Sequence, residues 1–556
     1  MTHFNSFKIK ILLIFFIFVG FSGLAQKNND FEISKNLEIF TTLYRQLHLN
    51  YVDEINSGDL MKKGIDAMLE NLDPYTVYIP ESDMEDYKLM TTGQYGGVGA
   101  LIHQNGDYVI ISDPYEGFPA FKAGLIAGDK ILEVNKQSAK GKSQNDISSI
   151  FKGQPGTSLT VLIEREGEAK PIEKSLTREE IKLLNVPYYG LVGKDVGYIK
   201  LTSFTQEAGK DVKEALLKLK ENNKIKSVII DLRGNGGGLL QEAVNIVNIF
   251  VEKGQLVVST KGKVIERNFS HKTMEQPTDI NIPLVILVDR NSASASEIVS
   301  GAIQDLDRGL IVGQKTYGKG LVQNIFPVSY NAQVKITIAK YYIPSGRCIQ
   351  AIDYAHKDED GVSGKFADSL KTAFKTKDGR IVYDGGGIEP DLALEPEKIS
   401  NIAISLLTKF LIFDYANYFK RKNLNISSAR EFTITEAMYD DFIKFINGKD
   451  YDYTTRSEKN LAELKAIAEK ENYFNAIKNE YQALKDKLIH DKNADLIKNK
   501  DEIKALLKTE IANRYFYQKG RIEASLSDDA EIAKAVELLN DSIKYKKLLE
   551  KNEASK

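Results

Sequence analysis

The stretch 284–323, LVILVDRNSASASEIVSGAIQDLDRGLIVGQKTYGKGLVQ, decides how this chain is read. LVILV (284–288) is short, apolar, rich in β-branched residues and bounded by polar ones, which predicts a buried strand, and EIVSGAI (297–303) predicts the start of a helix. Between them lies a turn carrying Ser292, Ser294 and Ser296. Backbone N–H groups in the first turn of a helix have no intrahelical acceptor and sit at the positive end of its dipole, so such a turn favours negative charge developing beside a serine. A second strand, LIVG (310–313), leads into QKTYGKGLVQ, where Gly318 and Gly320 let the backbone bend on both sides of Lys319. Serine is a poor nucleophile until a base takes its proton, and lysine is an alternative to histidine in that role. The lysine must be neutral to act. From a free pKa near 10.4 only about one lysine in a few thousand is neutral at pH 7, so burial has to depress it, with Tyr317, Leu321 and Val322 as the apolar neighbours. Taken alone, the same residues also describe a serine-capped helix followed by an exposed loop lysine.

Upstream context decides between those readings. SVIIDLRGNGGGLLQEAV (227–244) reads as a strand, a glycine-rich turn and a helix, with Gly234, Gly236, Gly237 and Gly238 freeing the backbone for close approach. The turn lacks the GK[ST] ending of a phosphate-binding loop and the GxGxxG spacing of a dinucleotide fold. It suits an oxyanion hole, in which one glycine N–H acts with the N–H of the residue after the nucleophile. DLRGNGGG, SASASE, YGKGLVQ and the later YDGGGIEPD, in that order between about Tyr51 and Asp391, together resemble the motifs of the carboxyl-terminal processing, or tail-specific, proteases of peptidase family S41. The resemblance implies that Ser294 is the nucleophile, Lys319 the general base, and Gln323, one helical turn further on, the residue that orients the lysine. It places the oxyanion donors on Gly238 and Ala295 and matches Asp305 to a supporting acidic position near the site. Ser292 and Ser296 flank the nucleophile, and the family register favours the middle serine. No metal or organic cofactor is implied.

From Gln94 onwards GGVGALI, YVIISD, PAFKAGLIAGDKILEVN and TSLTVLIERE give short strands around one helix, a pattern that resembles a PDZ domain with Gly97, Val98 and Gly99 as the carboxylate-binding loop. Successive outward N–H groups can capture a chain-terminal carboxylate while the adjacent strand edge pairs with the peptide backbone. Ile147 and Ile150, on the following helix, are expected to line the pocket for an apolar last side chain. Residues 183–400 alternate strands and helices, as in an α/β core, and beyond about Ile399 the chain turns to long helices rich in Lys, Glu, Leu and Ala.

The length of 556 residues and 42% apolar content fit a multi-domain α/β protein, and a net charge of −2 argues against a nucleic-acid partner. MTHFNSFKIKILLIFFIFVGFSGLAQ carries Lys8 and Lys10, an apolar run from Ile11 to Val19, and Gly23 and Ala25 at positions suited to signal peptidase, which predicts export to a bacterial periplasm. Membrane contact is expected only through this segment, if it stays uncleaved. Cys348 is the single cysteine and reads as a small packed side chain. The six histidines show no HExxH or H-x-H spacing; His271 and His356 fall inside the core region and keep a histidine-based triad open. The expected organisation is a signal peptide (1–25), a helical segment (26–92), a PDZ domain (93–180), a protease core (181–399) and a helical C-terminal domain (400–556). The function expected is an exported serine endopeptidase that takes protein substrates by apolar C-termini. The competing reading is a PDZ adaptor on a protease-like scaffold without catalysis. A lipoprotein adaptor and a homodimer are partners that the residues neither require nor exclude.

Overall fold

The computed structural model describes residues 30–357, 363–488 and 492–550, so the expected signal segment 1–25 lies outside the described residues. The chain divides into two units, Met1–Tyr78 and Ile79–Lys556. In the first, a helix over residues 30–50 precedes the helix Ser57–Glu70, whose start is capped by the Asn56 side chain accepting from the Asp59 N–H.

In the second unit the PDZ-like segment forms an antiparallel sheet ordered Ala100–Asn105 (β1), Tyr108–Pro114, Lys130–Val134, Ser158–Glu164 and Ile172–Thr177, with the helix Gln144–Phe151 (α1) against it. Period-two alternation sends Val109, Ile111, Val161 and Ile163 into its core. β1 is the edge strand.

The larger sheet carries the site. Its strands are Tyr188–Val192 (β2), Val196–Lys200 (β3), Ser227–Asp231 (β4), Leu284–Val288 (β5), Leu310–Gly313 (β6) and Leu392–Ala393, here β9, in the order β2-β3-β4-β5-β6-β9. β2 runs antiparallel to β3 and every other pairing is parallel. The apolar strands are continuous runs because both faces are covered. Ile199, Val228, Ile230, Ile286 and Ile311 face the helices Ala208–Asn223 (α2), Leu240–Phe250 (α3) and Ala295–Asp305 (α4). Tyr198, Ile229, Val285, Leu287 and Val312 face the other way, against Ile532, Ala535, Leu538 and Tyr545. Those partners belong to Ala530–Asn540 and Ser542–Leu549, here α6 and α7. Composition places them in a separate helical tail; packing makes them the second cover of the core sheet. A β-hairpin, Leu321–Pro327 (β7) and Gln333–Tyr342 (β8), follows the lysine loop and belongs to a second, antiparallel sheet.

The helix preceding α6, Lys500–Ser525 (α5), is interrupted at Tyr517, where φ of 54° and ψ of −156° are not helical. The ring of Tyr517 lies edge-on to Phe121 of the PDZ-like domain, 5.5 Å between centroids.

Candidate active site

β4, β5 and β6 are neighbours in the parallel sheet, and the three sequence motifs emerge from their carboxyl ends, where open α/β sheets place their sites. The glycine loop follows β4, the serine turn follows β5 and the lysine loop follows β6.

The three serines differ sharply. Ser292 and Ser296 are both fully buried, and their hydroxyls donate to the backbone of the glycine loop: Ser292 to Leu232 O at 2.9 Å, Ser296 to Asn235 O at 2.9 Å. Ser294 is partly exposed, and its backbone adopts φ 56° and ψ −112°, a region sparsely used by non-glycine residues. Such a conformation costs of order 1–3 kcal/mol and persists only where the surroundings fix it. They do so here: the Ser294 N–H donates to Glu297 Oε2 at 2.8 Å, and its carbonyl accepts from the buried Tyr341 hydroxyl at 3.3 Å.

Asn235 holds the glycine loop to this turn. Its side chain donates to Leu201 O and accepts the Gly237 N–H, both at 2.9 Å, while its carbonyl accepts the Ala293 N–H at 3.1 Å. Gly237, at φ +99°, is pressed against the serines: a Cβ there would lie 2.7 Å from Ala293 O and 2.9 Å from both Ala295 N and Ser294 Cβ. Gly238 pairs with Phe204 through a parallel bridge that uses the flanking N–H groups. Among the described residues, the N–H groups of Gly238 and Ala295 have no acceptor.

Glu297 joins the serine turn and the lysine loop. Fully buried, it accepts from the Thr316 hydroxyl (2.6 Å) and Gly318 N–H (2.7 Å) on one oxygen, and from the Lys319 N–H (2.9 Å) and Ser294 N–H (2.8 Å) on the other. Burial pushes its carboxyl above the ordinary range, and the four donors oppose that rise. Sequence reading missed this residue, although Ser294 and Glu297 have the S-x-x-E spacing of a capping box. Lys319 is half-buried. Beside it Gly320 N–H donates to the buried Gln350 side chain at 2.7 Å, and Gly318, at φ +88°, has no room for a Cβ, which would fall 2.4 Å from that of Ala351. Of the three expected apolar neighbours, Tyr317 is 47% exposed, Leu321 is buried and Val322 packs against the core of the larger sheet.

Three expectations need correcting. Gln323 lies on strand β7, not a helical turn beyond Lys319; its amide donates to Thr337 Oγ1 at 3.1 Å across the hairpin, next to a register shift between Val322 and Gln323. Asp305 ends α4, whose other end follows Ser294, so it stands about 15 Å along the helix axis from the serine turn. There it pairs with the buried Arg347 at 2.8 Å and accepts the Ser345 N–H at 2.9 Å, a packing role away from the serine. Ile147 is a fully buried PDZ core residue and Ile150 packs against that core; the groove between β1 and α1, about 180 Å³, is lined on the helix side by Gln144, Ser148 and Phe151. Gly97 ends the strand Gln94–Gly97, and Val98 and Gly99, which line this groove, connect it to β1. The Val98 and Gly99 carbonyls accept from Ala120 N–H (2.8 Å) and Tyr115 N–H (2.9 Å).

Among the described residues no histidine bonds Ser294, and no group of three His, Cys, Asp or Glu side chains is arranged to hold a metal ion. Burial pushes the Cys348 thiol up, away from the thiolate.

A parallel sheet with the serine turn, glycine loop and lysine loop at one end, joined to a PDZ-like domain, defines a serine-type peptidase of the PDZ-containing class. The model of "Peptidase family S41" matches residues 195–357, a PDZ domain model matches 110–165, and "Probable PDZ-protease, C-terminal helical domain" matches 402–539. A carboxy-terminal-processing protease of Bartonella bacilliformis is 34% identical over 330 residues, covering 58% of this chain and 75% of that protein. A probable CtpA-like serine protease of Staphylococcus aureus is 33% identical over 344 residues, 61% of this chain and 67% of that protein. The solved photosystem II D1 C-terminal processing protease is 26% identical, with 65% of this chain and 93% of that one covered, at a TM-score of 0.36. The chain belongs to the carboxy-terminal-processing proteases of peptidase family S41.

Proposed function

We propose that this protease works by acyl transfer between Ser294 and Lys319 and selects substrates through an apolar C-terminal residue held in the PDZ groove. The observation that carries the catalytic reading is the contrast among the serines. Ser292 and Ser296 are committed to backbone carbonyls, whereas Ser294 is partly exposed on a strained turn that Glu297 ties to the lysine loop.

In this mechanism neutral Lys319 takes the Ser294 hydroxyl proton as Oγ attacks the scissile carbonyl carbon. The N–H groups of Gly238 and Ala295 receive the resulting oxyanion. Collapse breaks the C–N bond, and the lysine ammonium returns the proton to the leaving amine. Water then attacks the acyl-enzyme with Lys319 again as base, releasing the new carboxylate and restoring the serine. Gln323 acts on this cycle through the β7–β8 hairpin, by fixing the strand that follows the lysine. At the PDZ domain the edge strand β1 offers backbone groups to an added peptide strand, and the groove beside Phe151 takes an apolar terminal side chain. The pattern of residues 1–25 supports export to a bacterial periplasm, which makes envelope proteins the substrate class.

The test is cleavage of an unfolded reporter with an apolar C-terminal tail by the full chain and by Ser294→Ala. Cleavage lost in the variant, and slowed when the reporter's last residue is made charged, is the expected result. Equal cleavage by the variant overturns the assignment of the nucleophile, and indifference to the tail overturns the PDZ role.

A further inference from the structure

We infer that Asp529 and Glu531, at the start of α6 in the C-terminal helical region, are positioning residues of the active site that hold the glycine loop and the lysine loop in register. The inference rests on the Ser294–Lys319 reading and adds residues that lie over two hundred positions from it in sequence.

The glycine loop has a front, where Gly237 meets the serine turn, and a back, where Arg233 points towards α6. Arg233 gives Asp529 two parallel bonds, Nη1 to Oδ1 at 3.1 Å and Nη2 to Oδ2 at 2.8 Å, and gives Glu531 Oε2 a third at 2.7 Å. Its remaining donors go to Asp231, at 3.1 Å from Nε and 2.7 Å from Nη2, and its carbonyl accepts from Lys200 Nζ at 2.7 Å. The second oxygen of Glu531 accepts from Gln314 Nε2 at 3.3 Å, in the loop between β6 and Lys319. One carboxylate thus bridges the loop that carries Gly238, one of the two oxyanion donors, and the loop that carries the base.

The start of α6 is itself fixed. Ile532, Ala535 and Leu538 are buried on the core sheet, and Asp529 Oδ1 also caps the helix by accepting the Ile532 N–H at 2.9 Å. On the side of α5, Lys508 Nζ holds Asp528 and Ser527 at 2.8 and 2.7 Å. With side-chain exposures of 18% for Arg233, 20% for Asp529 and 14% for Glu531, the cluster is shielded from solvent, unlike an exposed ion pair of little consequence. Asp231 still pairs Arg233 when Asp529 or Glu531 is neutralised, so the sheet is retained while the back of the loop is released.

The test uses Asp529→Asn, Glu531→Gln and the double variant in the full chain, with Ser294→Ala alongside. Displacing catalytic groups by about 1 Å can lower turnover on the order of a hundredfold, so kcat is expected to fall between roughly tenfold and a hundredfold while KM for the tailed reporter stays within about twofold. Affinity for an isolated tail peptide is expected to stay unchanged. Unchanged kcat in the double variant, or a rise in KM alone, overturns the inference; the single isosteric Glu531→Gln decides it if the double variant does not fold. Activity surviving in Ser294→Ala instead overturns the catalytic reading beneath it.

Discussion

Glu297 carries a requirement that neither the serine nor the lysine can meet alone: it fixes both backbones at once, with each carboxylate oxygen taking two donors. Glu297→Gln turns one of those oxygens into an NH2 that faces donors, and kcat is expected to fall on the order of a hundredfold, read in steady-state kinetics with a melting curve as control. The pH dependence follows from the raised carboxyl pKa. A carboxyl raised in the fold contributes stability below its unfolded value and loses it as pH rises through the folded one, so its own effect on stability favours acid. Activity runs the other way, because protonation removes an acceptor. The acid limb of the kcat profile is therefore expected above the ordinary carboxylate range and absent in Glu297→Gln; a limb unchanged in that variant contradicts the clamp. The flanking serines give the opposite signature. Leu232 O and Asn235 O each keep a backbone donor when Ser292 or Ser296 is lost. Ser292→Ala and Ser296→Ala should each cost about 1 kcal/mol in denaturant unfolding, with cleavage largely kept.

At the scale of elements, the strands LVILV and LIVG, the helix after Ser294 and the strand–glycine–helix unit at 227–244 were all legible, because parallel strands covered on both faces and helices with an apolar face write their periods into short runs. What escaped was set by contacts distant in sequence. Nothing local to Gln323 announces that it pairs with Thr337 in a hairpin, and an apolar Ile147 looks the same in a groove as in a core. α6 and α7 share the Lys/Glu-rich character of their neighbours, yet Tyr545 both donates to and accepts from the backbone of Leu284 in β5. Asp305 was placed by resemblance near the serine, whereas the straight length of α4 separates them. The glycine loop was read correctly as a close-approach element, and Gly237 gives the test. In Gly237→Ala the new methyl would sit 2.9 Å from Ala295 N and at a φ of +99°, so it both strains the loop and covers the N–H proposed as an oxyanion donor. Loss of an oxyanion donor lowers kcat by on the order of a hundredfold or more. Stopped-flow acylation with an activated ester reads it directly; an unchanged acylation rate argues against that donor.

At the scale of the whole molecule, the helical region grips the PDZ domain as well as the core sheet. His103, on the edge strand β1, stacks on Phe410 with centroids 4.0 Å apart and meets Phe413 edge-on at 5.1 Å, while Arg421 pairs with Glu166 at 2.8 Å and Phe121 meets Tyr517. The edge strand β1, proposed to take the peptide, is thus anchored to the same helical region that leads through α5 to Asp529. His103 makes this contact pH-sensitive. Burial, and then the nearby Arg514, hold its pKa below the ordinary 6.5 against the opposing charge of Glu510, and its Nε2 is buried without a hydrogen-bond partner, so protonation would bury an N–H that nothing accepts. A base whose pKa is lowered in the docked state leaves the undocked state binding more protons. Docking is therefore fully stable above about pH 6.5 and weakens as pH falls through the lowered value. Hydrogen-exchange protection factors of β1 amides, corrected for intrinsic exchange, are expected to drop between about pH 7.5 and pH 5.5 in the wild type. In His103→Phe, which keeps the stack and removes the titration, they should stay level; an equal drop in both proteins would assign the pH response to another group at this interface.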